Sequence, residues 1–414
     1  MLNEKGNREL AYIVRVDSKE EIIGYDRICS YNVLGWKCIA GKYDFQPGDL
    51  AVYIEIDSLC PYNEEFSFLD KVVDEEGKTV RPDRHKIKTQ KFAKGQYLSQ
   101  GLLCPLSMSD KLKDAKLGDF VTEKLGITYY EKEDNTRKAD VSRYTSMKAR
   151  HKKFFKTKLG KWLMRREWGR KLCFFFMGKK KDKKTDWPNW VVKTDEERCQ
   201  NCFNQMKALN VTWMATEKID GTSTTFTEKN GKKRELLVCS RNVVFNTPEK
   251  EERNYYKDSD GNVYLEMAHK YNIKAIVDRI LDEHKNWLFV TIQGETYGGN
   301  IQKRNYGPEH RLAIFNVIYQ ENGKAPVRMN PLDMLKFIEE VNKWNLCENK
   351  LECVPLVDPE FELPETCDEL LEYAGSELSR IDHQMREGVV FRTVDGVHSF
   401  KAVDNSFLLK YHAN

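Results

Sequence analysis

Between Glu131 and Lys184 the chain carries about 20 Lys and Arg against about 6 Asp and Glu, a net of roughly +14. The whole 414-residue chain sums to only +4, so the rest must carry roughly −10. A block this basic marks contact with a polyanion or an anionic membrane surface, and it divides the chain into a region before and a region after. Its stretch from Lys148 to Leu172 interleaves the cations with Phe154, Phe155, Trp162, Leu163, Trp168 and Leu172. Cys173-Phe174-Phe175-Phe176-Met177 comes next, then Gly178 and the lysines from Lys179 to Lys184, which read as a helix end and a flexible link. Residues 131–186 are therefore expected to be a basic helical insertion between two domains, 1–130 and 187–414. Nucleic-acid contact is the favoured use of this insertion. An amphipathic helix on a membrane surface and a solvated linker are the alternatives.

The first region reads as β-rich. Ala11 to Val16, Val33 to Ala40 and Asp49 to Ile56 have strand composition, with a turn at Gln46-Pro47-Gly48-Asp49. Lys86 to Thr89 and Ser99 to Cys104 add two short runs. Such strands within about 120 residues suggest a small barrel, and the residues alone leave OB, SH3-like and other barrels open. The last region alternates strand-like runs, at Leu236 to Cys239, Trp287 to Ile292, Arg311 to Tyr319, Gly388 to Phe391 and Ser399 to Val403, with helices expected over 263–283 and 333–343. The fold class expected is α+β, a small N-terminal barrel followed by a mixed α/β domain of antiparallel sheets.

Two classes are set aside by composition. A mean hydropathy of −0.67 and 32% charged residues describe a soluble chain, and no run approaches the roughly 20 apolar residues that cross a bilayer. Met1 to Leu10 is too polar for a signal peptide. The eleven cysteines are odd in number and scattered, which favours free thiols in an intracellular, reducing compartment, cytoplasmic or nuclear. Cys199-Gln200-Asn201-Cys202 lacks a second pair, so zinc is not expected there. His85, His269, His310, His383 and His412 show no ligand spacing and receive no role.

The chemistry concentrates around Glu217-Lys218-Ile219-Asp220-Gly221-Thr222. It places a lysine at the end of an apolar stretch and beside a glycine turn, where an amine can be held in a pocket and activated. Alone, Lys-x-Asp-Gly is also an ordinary β-turn with an exposed lysine. The signal lies in the ordered series of short motifs downstream of it: Ser240-Arg241-Asn242, Gln293-Gly294-Glu295-Thr296, Phe315 within Arg311 to Val317, Arg386-Glu387-Gly388-Val389-Val390, and Ser399-Phe400-Lys401-Ala402.

This series resembles the motifs of the covalent nucleotidyltransferases, the superfamily of ATP-dependent DNA ligases, RNA ligases and mRNA capping enzymes. The resemblance implies that Lys218 attacks the α-phosphorus of ATP to form a lysyl-AMP. AMP then passes to a 5′-phosphate, which a 3′-hydroxyl attacks. It implies an ATP site of Glu217, Lys218, Arg241, Glu295, Phe315, Val389 and Lys401, with Phe315 and Val389 on opposite faces of the adenine, Glu295 on the ribose and Lys401 at the α-phosphate. Asp220, Glu295 and Glu387 would hold Mg²⁺ or Mn²⁺ through water. Lys401 departs from the family pattern, because Val403 stands where a second lysine usually follows.

About 13 residues follow Lys401, too few for the C-terminal OB domain of DNA ligases and capping enzymes. A barrel ahead of the nucleophile instead resembles the fifth family of RNA ligases. Lys86-Ile87-Lys88 through Leu103 looks like its OB domain, and Pro188-Asn189-Trp190 through Arg198 like the entry to its catalytic domain. In that family an arginine about twenty residues before the nucleophile assists catalysis, which makes Arg198 the candidate. A monomer with no membrane partner is expected. It would join RNA 3′-hydroxyl and 5′-phosphate ends at nicks in duplexes, as in RNA repair. The alternatives are another polynucleotide ligase, a capping-type enzyme, or an RNA-binding protein on an inactive fold.

Overall fold

The computed structural model describes residues 8–130, 187–194, 196–245 and 262–412, together with residues 154, 157, 162, 163 and 173. The chain divides into two compact units, Met1–Tyr129 with Trp187–Asn414, and Tyr130–Asp186. The helix expected in the basic insertion lies, but for single positions, outside the described residues.

The N-terminal region is built chiefly from β1 (Ala11–Arg15), β2 (Ser18–Glu21), β3 (Ile28–Val33), β4 (Trp36–Gly41), β5 (Leu50–Glu55) and β6 (Gly101–Pro105). They pair into two antiparallel three-stranded sheets, β2-β3-β4 and β1-β5-β6. The run expected as one strand over 33–40 is a hairpin corner instead. Leu34 and Gly35 both take positive φ, 52° and 79°, the backbone of a tight two-residue turn. Residues 86–89 contribute only a single bridge, Lys86 to Leu59, on the two-residue strand Ser58–Leu59. Two cores fill this region. One gathers Ile13, Val52, Ile54, Phe66 and Val121; the other gathers Tyr12, Tyr31, Trp36, Phe45 and Tyr53.

The C-terminal region opens with β7 (Glu197–Arg198) and α1 (Cys199–Ala208), then β8 (Trp213–Lys218), β9 (Thr222–Lys229), β10 (Leu237–Cys239) and β11 (Val244–Phe245). Helices α2 (Val263–Lys270) and α3 (Ile273–Glu283) replace the single helix expected over 263–283, since Asn272 turns left-handed at φ 48° and breaks it. There follow β12 (Trp287–Tyr297), β13 (Arg311–Glu321), β14 (Val327–Arg328), α4 (Pro331–Lys343), β15 (Glu352–Cys353) and β16 (Leu356–Phe361). Helix α5 (Cys367–Ser376) and strands β17 (Gly388–Thr393) and β18 (Ser399–Val403) follow, and two short helical turns, Asn405–Phe407 and Leu408–His412, come after them.

These strands form two sheets. One runs β7-β18-β17-β8-β16; the other runs β11-β10-β9-β12-β13-β14, with β15 also on β13. Pairing is antiparallel except for β7 on β18 and β15 on β13. Helices α2, α3 and α4 cover the second sheet through Leu265, Ile276, Ile280 and Ile338. The first sheet packs on α1 and α5 through Cys199, Phe203, Leu370 and Ala374. Strands β8 and β9 are consecutive yet lie in different sheets, so the turn between them carries the chain from one to the other.

Candidate active site

That crossing turn is Ile219-Asp220-Gly221, and Lys218 is the last residue before it. A Cβ on Gly221 would lie 2.3 Å from the Thr296 carbonyl oxygen, so only glycine lets the turn press against β12. Between the two sheets lies a cavity of about 340 Å³. Its walls include Thr216, Lys218, Val390, Arg392 and Lys401 from one sheet and Ser223, Glu295 and Phe315 from the other. This volume suits a nucleoside-sized ligand.

Carboxylates crowd the lysine. Its Nζ lies 2.7 Å from Glu387 Oε1. Burial pulls the Lys218 ammonium down, but Glu387, Glu295 and Asp220 outweigh it, and the net shift is upward. Glu295 is pushed up to about 8, first by burial and then by Glu387 and Asp220, against the opposing pull of Lys218. Asp220 is buried, and its amide donates to Tyr306 Oη at 3.1 Å. Asp220 Oδ2 and Glu387 Oε2 are buried and make no hydrogen bond. Two unsatisfied anionic oxygens beside a lysine are costly for a structural ion pair and fit a site that receives cationic or hydrated groups.

The sequence and the architecture both have counterparts. An RNA ligase family profile matches residues 211–412, and an OB-fold domain profile matches residues 10–106. Residues 211–412 belong to the RNA ligase family. The N-terminal region is an OB-fold domain, and the α+β class expected from sequence holds. The fold is similar to that of a Naegleria gruberi RNA ligase variant solved with ATP and Mn, at 25% identity and a TM-score of 0.63, over 97% of this chain and 99% of that one. A structure of that protein with pyrophosphate matches at 25% identity and TM-score 0.61, over 98% and 99%. A variant with AMP and Mn matches at 25% and 0.63, over 97% and 99%. Among curated proteins, no sequence matches the chain significantly.

In this ligase the expected site residues do not all face the cavity. Lys218, Arg241, Glu295, Phe315 and Lys401 line it, with Arg241 reaching it from the turn between β10 and β11. Glu387 and Asp220 stand beside Lys218. Val389 does not face it. Side chains alternate along a strand, and Val389 belongs with Phe391 to the core beneath the sheet, while Val390 lines the cavity. Val389 pairs directly with Glu217, and Glu217 also points away from Lys218. Its carboxylate accepts from Ser379 Oγ and, at 2.8 Å, from the Arg380 amide. Glu217 is also among the residues lining the cavity, and its carboxylate anchors the 379–380 loop.

Arg198 ends β7 in parallel register with Lys401, and Glu387 acts on it electrostatically. Its guanidinium lies 5.7 Å from the Trp36 ring of the OB-fold domain. Sequence reasoning gave His412 no role, yet its Nε2 lies 3.0 Å from Asp220 Oδ1. Asp220 pushes the imidazole upward against the pull of burial. No spacing rule could have found it, because the turn Leu408–His412 is brought there by tertiary packing. Val390 and Arg392 could have been found by advancing two residues at a time from Gly388, had the phase of that strand been known. Arg392 donates to the Phe315 carbonyl at 3.0 Å, so it fixes the backbone carrying that ring.

Proposed function

We propose that this ligase forms a lysyl-AMP on Lys218, transfers AMP to a 5′-phosphate and joins it to an RNA 3′-hydroxyl. The observation that carries the reading is Lys218 Nζ at 2.7 Å from Glu387, in a nucleoside-sized cavity that Glu295, Phe315 and Lys401 also line. In the first step a nitrogen–phosphorus bond forms at Lys218 as the bond from the α-phosphorus to pyrophosphate breaks. The ammonium must first lose its proton, which the surrounding carboxylates oppose until charge enters the site. Phe315 would lie on the adenine, with Val390 opposite it, and Lys401 and Arg241 would meet phosphate or ribose oxygens.

The orphaned oxygens Asp220 Oδ2 and Glu387 Oε2 fit a hard divalent cation held partly through water. Among the described residues no three acidic, cysteine or histidine side chains converge into a cage. Bound Mg²⁺ or Mn²⁺ would neutralise phosphate charge. Glu295 would reach the same hydrated cation or the ribose.

The preferred substrate in this reading is a nicked duplex, in RNA repair. The OB-fold domain, residues 1–130, would grip the duplex next to the catalytic domain, residues 187–414, with the basic segment 131–186 adding phosphate contacts. A monomer in a reducing, intracellular compartment suits the eleven free thiols. Among the described residues no helix is long and apolar enough to cross a membrane.

The deciding experiment incubates the protein with α-labelled ATP and Mn²⁺ or Mg²⁺, beside Lys218→Ala. The expected result is label retained on denatured wild type and none on the variant. Label on both would move the nucleophile elsewhere, and folded, AMP-free wild type that takes none would defeat the lysyl-AMP reading. Label from GTP but not ATP would make the activity a guanylyl transfer.

A further inference from the structure

Arg304 is about 1% exposed, among the most deeply buried cations in the described residues, and it lies outside every motif in the sequence. Burying a guanidinium costs several kcal/mol unless all its donors are met. Here they are. Nη1 and Nη2 grip both oxygens of Asp382 at 3.0 and 2.8 Å, and Nε donates to the Met385 carbonyl at 3.0 Å. The guanidinium carbon sits 3.7 Å from the centre of the Tyr306 ring. Tyr306 is held on another side by Tyr297, edge to face at 5.2 Å.

What this cluster touches gives it meaning. Tyr306 Oη accepts the Asp220 amide, so its ring fixes the turn just after Lys218. Met385 stands two residues before Glu387, whose carboxylate is the one on Lys218. One arginine therefore connects, through Tyr306 and through Met385, the two backbone segments that place Asp220 and Glu387 around the nucleophile. The segment carrying Glu387 is fastened a second time, where Ser379 and Arg380 hold Glu217, the residue before Lys218. One end of this segment thus binds the residue before Lys218, and the other reaches Asp220 through Arg304 and Tyr306.

We propose that Arg304 and Tyr306 are positioning residues for nucleotidyl transfer, a yoke that sets the separation of Asp220 and Glu387 about Lys218. The proposal rests on the lysyl-AMP reading above. It acts on geometry: misplacing a reacting group by an ångström can cost on the order of a hundredfold in rate. An ion pair serving stability alone would not need the phenolic oxygen, because a phenylalanine would keep the ring under Arg304 and lose only the bond to Asp220.

The test measures single-turnover label transfer from ATP in wild type, Tyr306→Phe, Arg304→Lys and the double variant. Tyr306→Phe should slow the step by about tenfold at a temperature where it is fully folded, with the KM for ATP within about twofold and the melting temperature lowered by a few degrees for the stranded Asp220 amide. The double variant should be no slower than the worse single, since both act through one linkage. A wild-type rate in Tyr306→Phe overturns the proposal. So does a loss that follows the melting temperature or the KM for ATP, and so does full additivity in the double variant. If wild type itself takes no label, the lysyl-AMP reading fails separately. The yoke is then judged by the rate at which trinitrobenzenesulfonate modifies Lys218, read by peptide mass spectrometry. A rate that differs between wild type and Tyr306→Phe supports the yoke, and equal rates overturn it.

Discussion

In the OB-fold domain the acidic, basic or imidazole side chains taken out of solvent are Glu55 and His85, whereas in the ligase domain they are Glu217, Asp220, Glu228, Arg304, Arg386, Glu387 and Arg392. In the first region both have complete partners. Glu55 accepts from Arg8 at 2.9 Å and from Tyr12 at 3.3 Å; His85 sits between the Cys60 carbonyl and Asp70. Within the ligase domain the buried carboxylates split. Glu217 is satisfied by the 379–380 loop, and Glu228 by Lys274 at 2.9 and 3.1 Å. Asp220 and Glu387 each keep an oxygen without a hydrogen bond. The difference separates two uses of buried charge. A satisfied carboxylate ties chain segments together, and an unsatisfied one stores electrostatic tension where a ligand can relieve it.

The strongest way to break that division is Glu387→Gln. If Glu387 serves the chemistry, label transfer should fall by about a hundredfold or more while the melting temperature stays near wild type. The pH profile sharpens the test. Carboxylates raise the Lys218 pKa, and in the proposed lysyl-AMP step the neutral amine would be the nucleophile, so the wild-type rate should climb as pH rises. Removing the charge at 2.7 Å lowers that pKa, so the variant's profile should move toward lower pH even as its ceiling drops. A profile that stays in place would contradict the assignment.

Glu217→Ala probes the other side of the division. It strands the Ser379 hydroxyl and the Arg380 amide, at about 1–3 kcal/mol for each buried group left unpaired. Thermal unfolding should shift down by several degrees, with Lys218 still accepting label at a permissive temperature. Complete loss of labelling in folded Glu217→Ala would place its carboxylate in the site after all.

How these two carboxylates differ was only partly legible in the sequence. The order of short motifs led to Lys218, Glu295, Phe315 and Lys401, because each sits at a strand position whose chemistry is local. The facing of Glu217 and Val389 was not legible. Strand β17 reads Gly-Val-Val-Phe-Arg-Thr and is buried on both faces, so no apolar–polar alternation sets its phase, and a slip of one residue exchanges Val389 for Val390. Asn272 hides its break for a related reason: the apolar spacing continues across it, and only its left-handed backbone divides α2 from α3. Tyr306, Arg304 and His412 act across long sequence separations, where neither composition nor spacing carries a signal.

Glu295 sharpens the comparison through stability. Its pKa rises from an ordinary 4.5 to about 8, chiefly by burial. Between those values the folded state holds a proton that the unfolded chain has released. Its contribution is thus fully present below about pH 4.5 and is lost as pH rises through about 8. Glu295→Gln should flatten the fall of melting temperature across that window, measured in the absence of nucleotide and metal. An unchanged slope would assign the pH dependence to other groups.

The smallest expected effect lies where the two regions meet. Asn32 of the OB-fold domain donates to Asp368 at 2.6 Å, and Gln100 donates to Asn405 at 3.1 Å. Neither bond touches the cavity, and both are partly exposed, so each should contribute only about 0.5–1.5 kcal/mol. The pair Asn32→Ala and Gln100→Ala should therefore leave label transfer to Lys218 within about twofold of wild type, since that step needs only the ligase domain's own groups. In the proposed function, joining of a nicked duplex would use both domains on one substrate, so its rate should drop more than labelling does. Equal losses in the two assays would mean that the OB-fold domain supports the nucleotide site itself, and Arg198, resting against Trp36, would be the route by which it does so.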